Sequence, residues 1–190
     1  MSTDDTFTWE AIPRKVFIDT NIVDCLVKWG ECIFDNVTTP HSLDEQMRED
    51  IDALRNIFLI GSRANWQIIV SPLVLNELSA TSDERLRRLL VGYGQEFLSL
   101  NRINGLTDDE YRHANDLSRR LEDSRWLKVL PDKNDRRLIG QAVGFGCDVF
   151  CTRDLKTIHS KRQNLEPLNL RILTPIEWWS YIKPWANLWY

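Results

Sequence analysis

Four short apolar runs, each bounded by a turn or a helix-capping signal, are the feature of this sequence that most constrains its fold. They cover residues 15–18, 67–70, 148–152 and 170–173 and are rich in Val, Ile, Leu and Phe. An apolar run of this kind is typical of a strand buried on both faces. Helical segments separate the runs, and strands that alternate with helices form parallel sheets. The sequence therefore predicts an α/β protein, a three-layer α/β/α sandwich with a central parallel sheet of four to five strands.

Helix-start signals define the segments between these strands. Capping boxes, Ser or Thr followed three residues later by Glu, begin at Ser42, Thr81, Thr107 and Thr174. We interpret residues 14–183 as one domain with helical insertions at about 42–60 and 81–130. Residues 1–13 are expected to be a flexible N-terminus, and residues 184–190 a C-terminal tail rich in tryptophan, which either packs on the sheet or binds a partner.

The composition bounds the class of protein. The 190 residues are 43% hydrophobic, which is enough for one substantial core. A net charge of −4 argues against a protein that holds nucleic acid through overall positive charge. No apolar stretch is long enough to span a membrane and the acidic start is unlike a secretory signal, so we expect a cytoplasmic protein without a membrane partner. The cysteine spacing fits neither a zinc site nor a disulfide scaffold and predicts reduced, buried thiols.

Four acidic residues fall where ligands bind in a parallel sheet, near the carboxyl ends of its strands. Asp19 ends the first strand, Glu77 lies one to two turns into the helix after the second, and Asp154 follows the third. Asp135 lies in the first turn of the helix before the third strand, so its place at this edge is an inference. Each residue alone is also typical of a turn, a cap or a solvated helix face. Together, converging carboxylates favour Mg²⁺ or Mn²⁺ and hydrolysis of a phosphodiester.

These acids lie in motifs that resemble the PIN-domain family, the fold of many metal-dependent ribonucleases and of toxins from bacterial toxin–antitoxin pairs. The match runs through residues 16–21 (VFIDTN), 69–72 (IVSP) with 75–78 (LNEL), 135–139 (DRRLI) and 149–154 (VFCTRD). The matching motifs span about residues 14–180. The resemblance implies a Mg²⁺- or Mn²⁺-dependent endoribonuclease in which the metal-binding and catalytic residues are Asp19, Glu77, Asp135 and Asp154.

The resemblance also implies supporting residues and partners. Asn21 and Thr152 match polar positions that support the acidic cluster in the family, and Thr20 stands with Asn21 at a helix N-terminus. RNA would be the substrate, and an antitoxin, another protein or a second copy of the chain would be the protein partner. In many relatives a further carboxylate follows two residues after the position of Asp154. Lys156 stands there in this chain, which favours a single metal ion or a second ion recruited only with the substrate.

Basic residues flank the last of these motifs. Residues 131–190 hold 9 basic and 6 acidic side chains, although the whole chain is acidic. A run of basic residues is usually a solvated face, but positive charge beside a nuclease site steers the nucleic-acid backbone. The residues we predict to contact the RNA backbone are Arg153, Lys156, Lys161 and Arg162.

Three other readings start from the same residues. A haloacid-dehalogenase-like phosphatase needs a second aspartate two residues after the first, and position 21 is Asn. A response-regulator receiver needs paired acids near its start and a lysine late in the sheet, but the early acids of this chain precede the first strand. The third alternative is a catalytically inactive RNA-binding or scaffold protein of the same fold, because a fold persists after catalysis is lost.

Overall fold

The protein is described here by a computed structural model that covers residues 8–64 and 66–189, apart from the side chain of Ser62. Its centre is a sheet of four parallel strands in the order β2-β1-β3-β4. The strands are β1 (Lys15–Ile18), β2 (Gln67–Ile69), β3 (Val149–Cys151) and β4 (Arg171–Leu173). The predicted parallel α/β sheet is confirmed, and each strand lies within one of the four apolar runs.

The sheet is buried on both faces. Val16, Phe17 and Ile18 are consecutive residues of β1 and all three have no exposed surface. Because successive side chains of a strand point to opposite faces, helices must cover both sides, which agrees with a three-layer arrangement. Phe17 pairs in register with Phe150 of β3, and their rings stack with centroids 5.5 Å apart.

Nine α-helices surround the sheet in the described part of the chain. Two of them, each of four or five residues, were not expected from the sequence because one helical turn carries too few residues to show a period. The helices are α1 (Thr20–Lys28), α2 (Gly30–Phe34), α3 (Glu45–Ala64), α4 (Pro72–Ser79), α5 (Glu84–Ile103), α6 (Asp108–Leu121), α7 (Lys133–Gly144), α8 (Arg162–Leu165) and α9 (Pro175–Ile182).

The capping boxes are confirmed at two of the four predicted helix starts. Thr107 caps α6 and Thr174 caps α9, each with both hydrogen bonds of the box. The boxes at Ser42 and Thr81 are wrong, because an aspartate two residues later takes the cap in each case. Asp44 accepts from Met47 N and Asp83 from Leu86 N, both at 2.8 Å. A carboxylate is a favourable cap, since it satisfies free amides and interacts with the helix dipole.

Helices α6 and α7 pack closely because two glycines of α7 face small residues of α6. A Cβ at Gly144 would lie 2.5 Å from Ala114 Cα, and one at Gly140 2.8 Å from Ser118 Cα. Beyond this contact, Glu122 forms ion pairs with Lys133 at 2.8 Å and Arg137 at 2.5 Å. These contacts fix the first turns of α7, where Asp135 lies.

Both chain ends contact the rest of the domain. Residues 1–7 and Tyr190 lie outside the described residues, but Trp9–Ala11 form a 3₁₀ turn, and Ile12 is buried in the core. Arg171 Nη1 donates to Ala11 O at 2.8 Å and the Trp9 ring packs on the tail, so residues 9–12 are held against the rest of the domain.

Residues of the predicted tail continue α9 as a further 3₁₀ turn, Lys183–Leu188. Five indole rings meet there, and neighbouring centroids lie 5.4 to 6.1 Å apart. We call this group the tryptophan cluster; it comprises Trp9, Trp66, Trp178, Trp185 and Trp189. Trp9 and Trp66 precede β1 and β2, so the cluster lies toward the amino ends of these strands, and the tail packs on its own domain.

Two smaller expectations concern membranes and cysteines. Within residues 8–64 and 66–189, no helix combines the length and apolar character needed to cross a bilayer. The prediction of reduced, buried thiols is confirmed: none of the cysteines forms a disulfide, and Cys25, Cys32, Cys147 and Cys151 are all buried.

Candidate functional site

The four predicted carboxylates come together at the carboxyl edge of the sheet, and we call them the carboxylate cluster. Asp19 directly follows β1, Asp154 lies three residues after β3, and Glu77 lies in α4, which follows β2. Asp135 reaches the same edge because α7 runs back toward the amino end of β3, which leaves its first turn beside the carboxyl ends. The carboxylates of Asp19, Glu77 and Asp154 all act on the ionisation of Asp135.

Asp19 is the most enclosed of the four, with 4% of the residue exposed. It caps α1, and its Oδ1 accepts from Thr20 N at 2.7 Å. Its Oδ2 accepts from Asn21 Nδ2 and Thr152 Oγ1, both at 2.6 Å. Burial raises the pKa of Asp19 to about 6, although the hydrogen bonds from Thr152 and Thr20 oppose the shift. The hydrogen bonds thus hold the Asp19 carboxylate in one orientation, although burial destabilises its ionised form.

The predicted supporting residues all contact this cluster. Thr20 Oγ1 donates a short hydrogen bond to Glu77 Oε2, which links the start of α1 to α4. Asn21 Nδ2 reaches Thr152 Oγ1 at 3.1 Å as well as Asp19. Asn21 Oδ1 accepts from Arg153 N at 2.8 Å. Asn21 and Thr152 therefore connect the loops that follow β1 and β3, and Thr20 connects the start of α1 to α4.

Glu77 and Asp135 carry raised pKa values. Burial raises the pKa of Glu77, and the nearby Asp132 carboxylate adds to the shift. Burial, followed by repulsion from Asp132 and Asp19, raises the pKa of Asp135 to about 7. Among the described residues, the Asp135 carboxylate accepts no hydrogen bond. It is therefore the member of the cluster whose oxygen atoms are most available to a ligand.

Asp154 has the opposite electrostatic balance. Desolvation raises its pKa, but the Thr157 hydroxyl and the amides of Thr157 and Lys156 donate to it and together lower the pKa below its usual value. Asp154 N donates to Thr152 Oγ1 at 3.0 Å. This carboxylate is consequently ionised and oriented by the loop that carries it.

The four donor groups fit a hard divalent cation, because such cations prefer carboxylate oxygens as ligands. A bound cation would also neutralise the repulsion among these carboxylates. In the described chain, no three His, Cys, Asp or Glu side chains are grouped so that they could hold one metal ion as they stand. Threonine hydroxyl groups occupy oxygens of Asp19, Glu77 and Asp154. An incoming cation would compete with these hydroxyl groups for the carboxylates.

The four basic residues predicted to contact RNA fall into two pairs. Arg153 Nε is bound to the buried Asp50 at 2.8 Å, and Arg162 Nη1 to Glu177 at 2.5 Å. These two guanidinium groups already neutralise carboxylates of the protein itself. Lys156 and Lys161 are exposed on the segment that follows Asp154. The two lysines are therefore the cations of this set that the fold leaves available.

Three further residues join the site without having been assigned to it from the sequence. Asp132, the N-cap of α7, repels both Glu77 and Asp135. Thr157 binds Asp154 from three residues further along the chain. The sequence alone could have indicated that Asp50 has a charged partner. Asp50 lies between Met47 and Ile51 on the apolar face of a helix, where a buried charge needs a partner.

Two clefts of the described structure lie elsewhere. One of about 500 Å³ lies between α5 and α6, where Pro72, Leu98, Arg102 and Tyr111 are among its lining residues, and another of about 650 Å³ lies at the start of α5. None of the four carboxylates lines either cleft. The chemistry of the carboxylate edge, rather than cavity size, therefore identifies the candidate site.

Comparisons with protein-family models, curated proteins and solved structures found no match to this chain.

Proposed function

We propose that this protein is a divalent-metal-dependent ribonuclease. The observation that carries the proposal is the convergence of Asp19, Glu77, Asp135 and Asp154 at one edge of a parallel sheet, with the pKa raised in three of them. Carboxylates in such a group repel one another unless a cation neutralises them. The motifs that resemble the PIN domain support RNA as the substrate.

The four carboxylates would hold Mg²⁺ or Mn²⁺, and such an ion supplies a Lewis acid for a phosphodiester and lowers the pKa of a bound water. The chain itself contributes the orientation of each group. Asn21 and Thr152 fix Asp19, Thr20 fixes Glu77, and Thr157 fixes Asp154. Lys156 and Lys161 attract the phosphate backbone, whose neutralisation contributes most of non-specific nucleic-acid affinity.

The test of this function is RNA cleavage with and without Mn²⁺ by the wild-type protein, Asp19→Asn and Asp116→Asn. Asp19→Asn removes one negative charge from the centre of the cluster. We expect the Mn²⁺-dependent rate to fall at least about 100-fold, since the loss of an essential electrostatic group has effects of this size. Asp116→Asn is the matched control, because Asp116 is an exposed residue of α6 outside the site. We expect this variant to cleave as the wild type does.

Two outcomes would contradict the proposal. One is cleavage that proceeds equally well in chelator, and the other is full activity of Asp19→Asn. RNA binding without cleavage under any metal condition would favour the inactive RNA-binding or scaffold protein instead. The toxin role implied by the family resemblance stays a prediction, and a neutralising protein encoded beside this chain would support it.

A further inference from the structure

The inserted helix α3 places a charged side chain among its buried apolar residues. Asp50, with 3% of the residue exposed, lies beside the fully buried Ile51 and one turn from Leu54. Its carboxylate accepts a hydrogen bond from Arg153 Nε at 2.8 Å, and the two side chains are only 4% and 21% exposed. Two charges withdrawn from water depend on each other, because either one left alone is strongly unfavourable. The pair therefore fixes Arg153 against α3.

Arg153 lies between two residues of the candidate site. It follows Thr152, whose hydroxyl group binds Asp19, and precedes Asp154. Its own backbone N–H donates to Asn21 Oδ1 at 2.8 Å. The chain after β3 is thus attached to the Asp19 side of the cluster through its backbone and to α3 through the Arg153 side chain.

The segment that Arg153 anchors carries hydrogen-bond donors to both oxygens of the Asp154 carboxylate. The amides of Lys156 and Thr157 donate to Asp154 Oδ1 at 3.0 and 2.8 Å, and the Thr157 hydroxyl binds Oδ2. A displacement of this segment would therefore move Asp154 together with the groups that orient it.

We propose that Asp50 is a positioning residue of the carboxylate site, which acts through Arg153 to hold residues 152–157 in place. This inference rests on the proposed function, since it concerns the same carboxylates. It assigns a role to the helix at residues 45–64: through Asp50 the helix reaches the site, although Asp50 itself touches none of the four carboxylates.

The first test compares Asp50→Asn with the wild type and with Asp52→Asn. Asp52 is the matched control, because it lies on the same helix and pairs with Arg55 at the surface. Amide hydrogen exchange reports on residues 152–157, and calorimetric titration reports Mn²⁺ affinity. We expect Asp50→Asn to exchange faster in this segment and to bind Mn²⁺ about tenfold more weakly, as for other residues that orient metal ligands. The kcat for RNA should fall by a similar factor with KM little changed, and Asp52→Asn should behave as the wild type.

A second variant separates positioning from stability, because Asp50→Asn leaves the Arg153 guanidinium without its counter-charge and thereby destabilises the fold. Asp50→Leu combined with Arg153→Met removes both charges, which commonly preserves the fold. We expect this double variant to regain stability but to keep fast exchange in residues 152–157 and weak Mn²⁺ binding.

Wild-type exchange and wild-type Mn²⁺ affinity in either folded variant would overturn the inference. Failure of the wild-type protein itself to bind Mn²⁺ would count against the proposed function instead. In that case the exchange of residues 152–157 in the double variant still decides whether Asp50 holds the segment.

Discussion

The two clusters at opposite ends of the sheet bury side chains of opposite character. In the carboxylate cluster, burial and mutual repulsion raise the pKa of Asp19 to about 6 and that of Asp135 to about 7. In the tryptophan cluster, apolar rings such as those of Trp9 and Trp189 stack with centroids 5.4 Å apart, which stabilises the folded state. The fold tolerates buried charge at one end of the sheet because apolar packing at the other end stabilises it.

Residues that stabilise the fold and residues that bind the metal should therefore lie at opposite ends of the sheet. Substitutions in the tryptophan cluster should lower the free energy of unfolding and leave activity per folded molecule unchanged. Substitutions in the carboxylate cluster should abolish metal binding and have small or even favourable effects on stability. Such a division is common where an active site keeps groups that destabilise the fold.

The largest expected effect is on stability, from Trp178→Ala. Trp178 has no exposed surface, and truncation of a buried tryptophan costs about 4 kcal/mol. Urea denaturation measures the change, with Trp126→Ala as a control at a half-buried tryptophan outside the cluster. Trp178→Phe should cost much less, because the buried Nε1 has no hydrogen-bond partner within the described residues. Equal costs for Trp178→Ala and Trp126→Ala would remove the stabilising role given to the cluster.

Metal addition should stabilise the folded protein through the carboxylate cluster and not through the tryptophan cluster. A ligand that binds the folded state at 100 times its Kd adds about 2.7 kcal/mol, so saturating Mn²⁺ should raise the Tm of the wild-type protein. Asp19→Asn should show little of this rise, whereas Trp126→Ala should show all of it. A rise of equal size in Asp19→Asn would place the Mn²⁺ site outside the carboxylate cluster.

Deletion of residues 185–190 tests the role of the tail. It removes Trp185 and Trp189, which pack against Trp9, and should cost about 2 kcal/mol of stability. RNA affinity and oligomeric state of the folded protein should not change. A loss of RNA binding in the still-folded deletion variant would instead support the tail as a binding surface.

The pH dependence of stability should distinguish the clusters as well. The pKa of Asp135 rises from 3.8 in the unfolded chain to about 7, so its favourable contribution is complete below pH 3.8 and is lost as the pH rises through 7. Asp135→Asn does not titrate, so in chelator its Tm relative to the wild type should increase from pH 5 to pH 8. A difference that stays constant would show that burial and repulsion do not raise the pKa of Asp135. Trp178→Phe should give a constant difference.

The smallest expected effect concerns the exposed lysines. Lys156→Ala combined with Lys161→Ala should weaken RNA binding several-fold and lower the slope of log affinity against log salt by about one per lysine. Lys28→Ala is the control, because Lys28 forms an ion pair with Asp24 on α1. An unchanged salt dependence in the double variant would exclude both lysines from the RNA contact.

The sheet and most of its helices follow from local patterns. The apolar run at residues 15–18 coincides with β1, and the capping boxes at Thr107 and Thr174 give the starts of α6 and α9. Helix starts were wrong where an aspartate stood two residues after the expected cap, since neighbouring caps compete over tenths of a kcal/mol. Local patterns could not decide which of the two predictions for the tail holds, because the packing of Trp185 on Trp9 joins residues far apart in the chain.

The candidate site was also only partly readable. Asp19, Glu77 and Asp154 fall at the correct edge because each closely follows a strand, and parallel strands share one carboxyl edge. Their hydrogen-bond partners depend on which loops meet, and Asn21 reaches Thr152 across 131 positions of the chain. Arg153 could not be distinguished from a free cation, because its partner Asp50 lies on a helix 103 positions away.

Local patterns were sufficient to predict the strands, most of the helices, the parallel sheet and the set of acids available for chemistry, because periodicity, capping and strand ends are local properties. The tertiary structure sets the pKa values of those acids and determines which neighbouring basic side chains are paired with carboxylates. A pKa depends on burial and on charges that arrive from other elements, so only the folded chain raises that of Asp135 and lowers that of Asp154. The pairing of Arg153 with Asp50 likewise depends on tertiary structure, because the two residues lie on different elements.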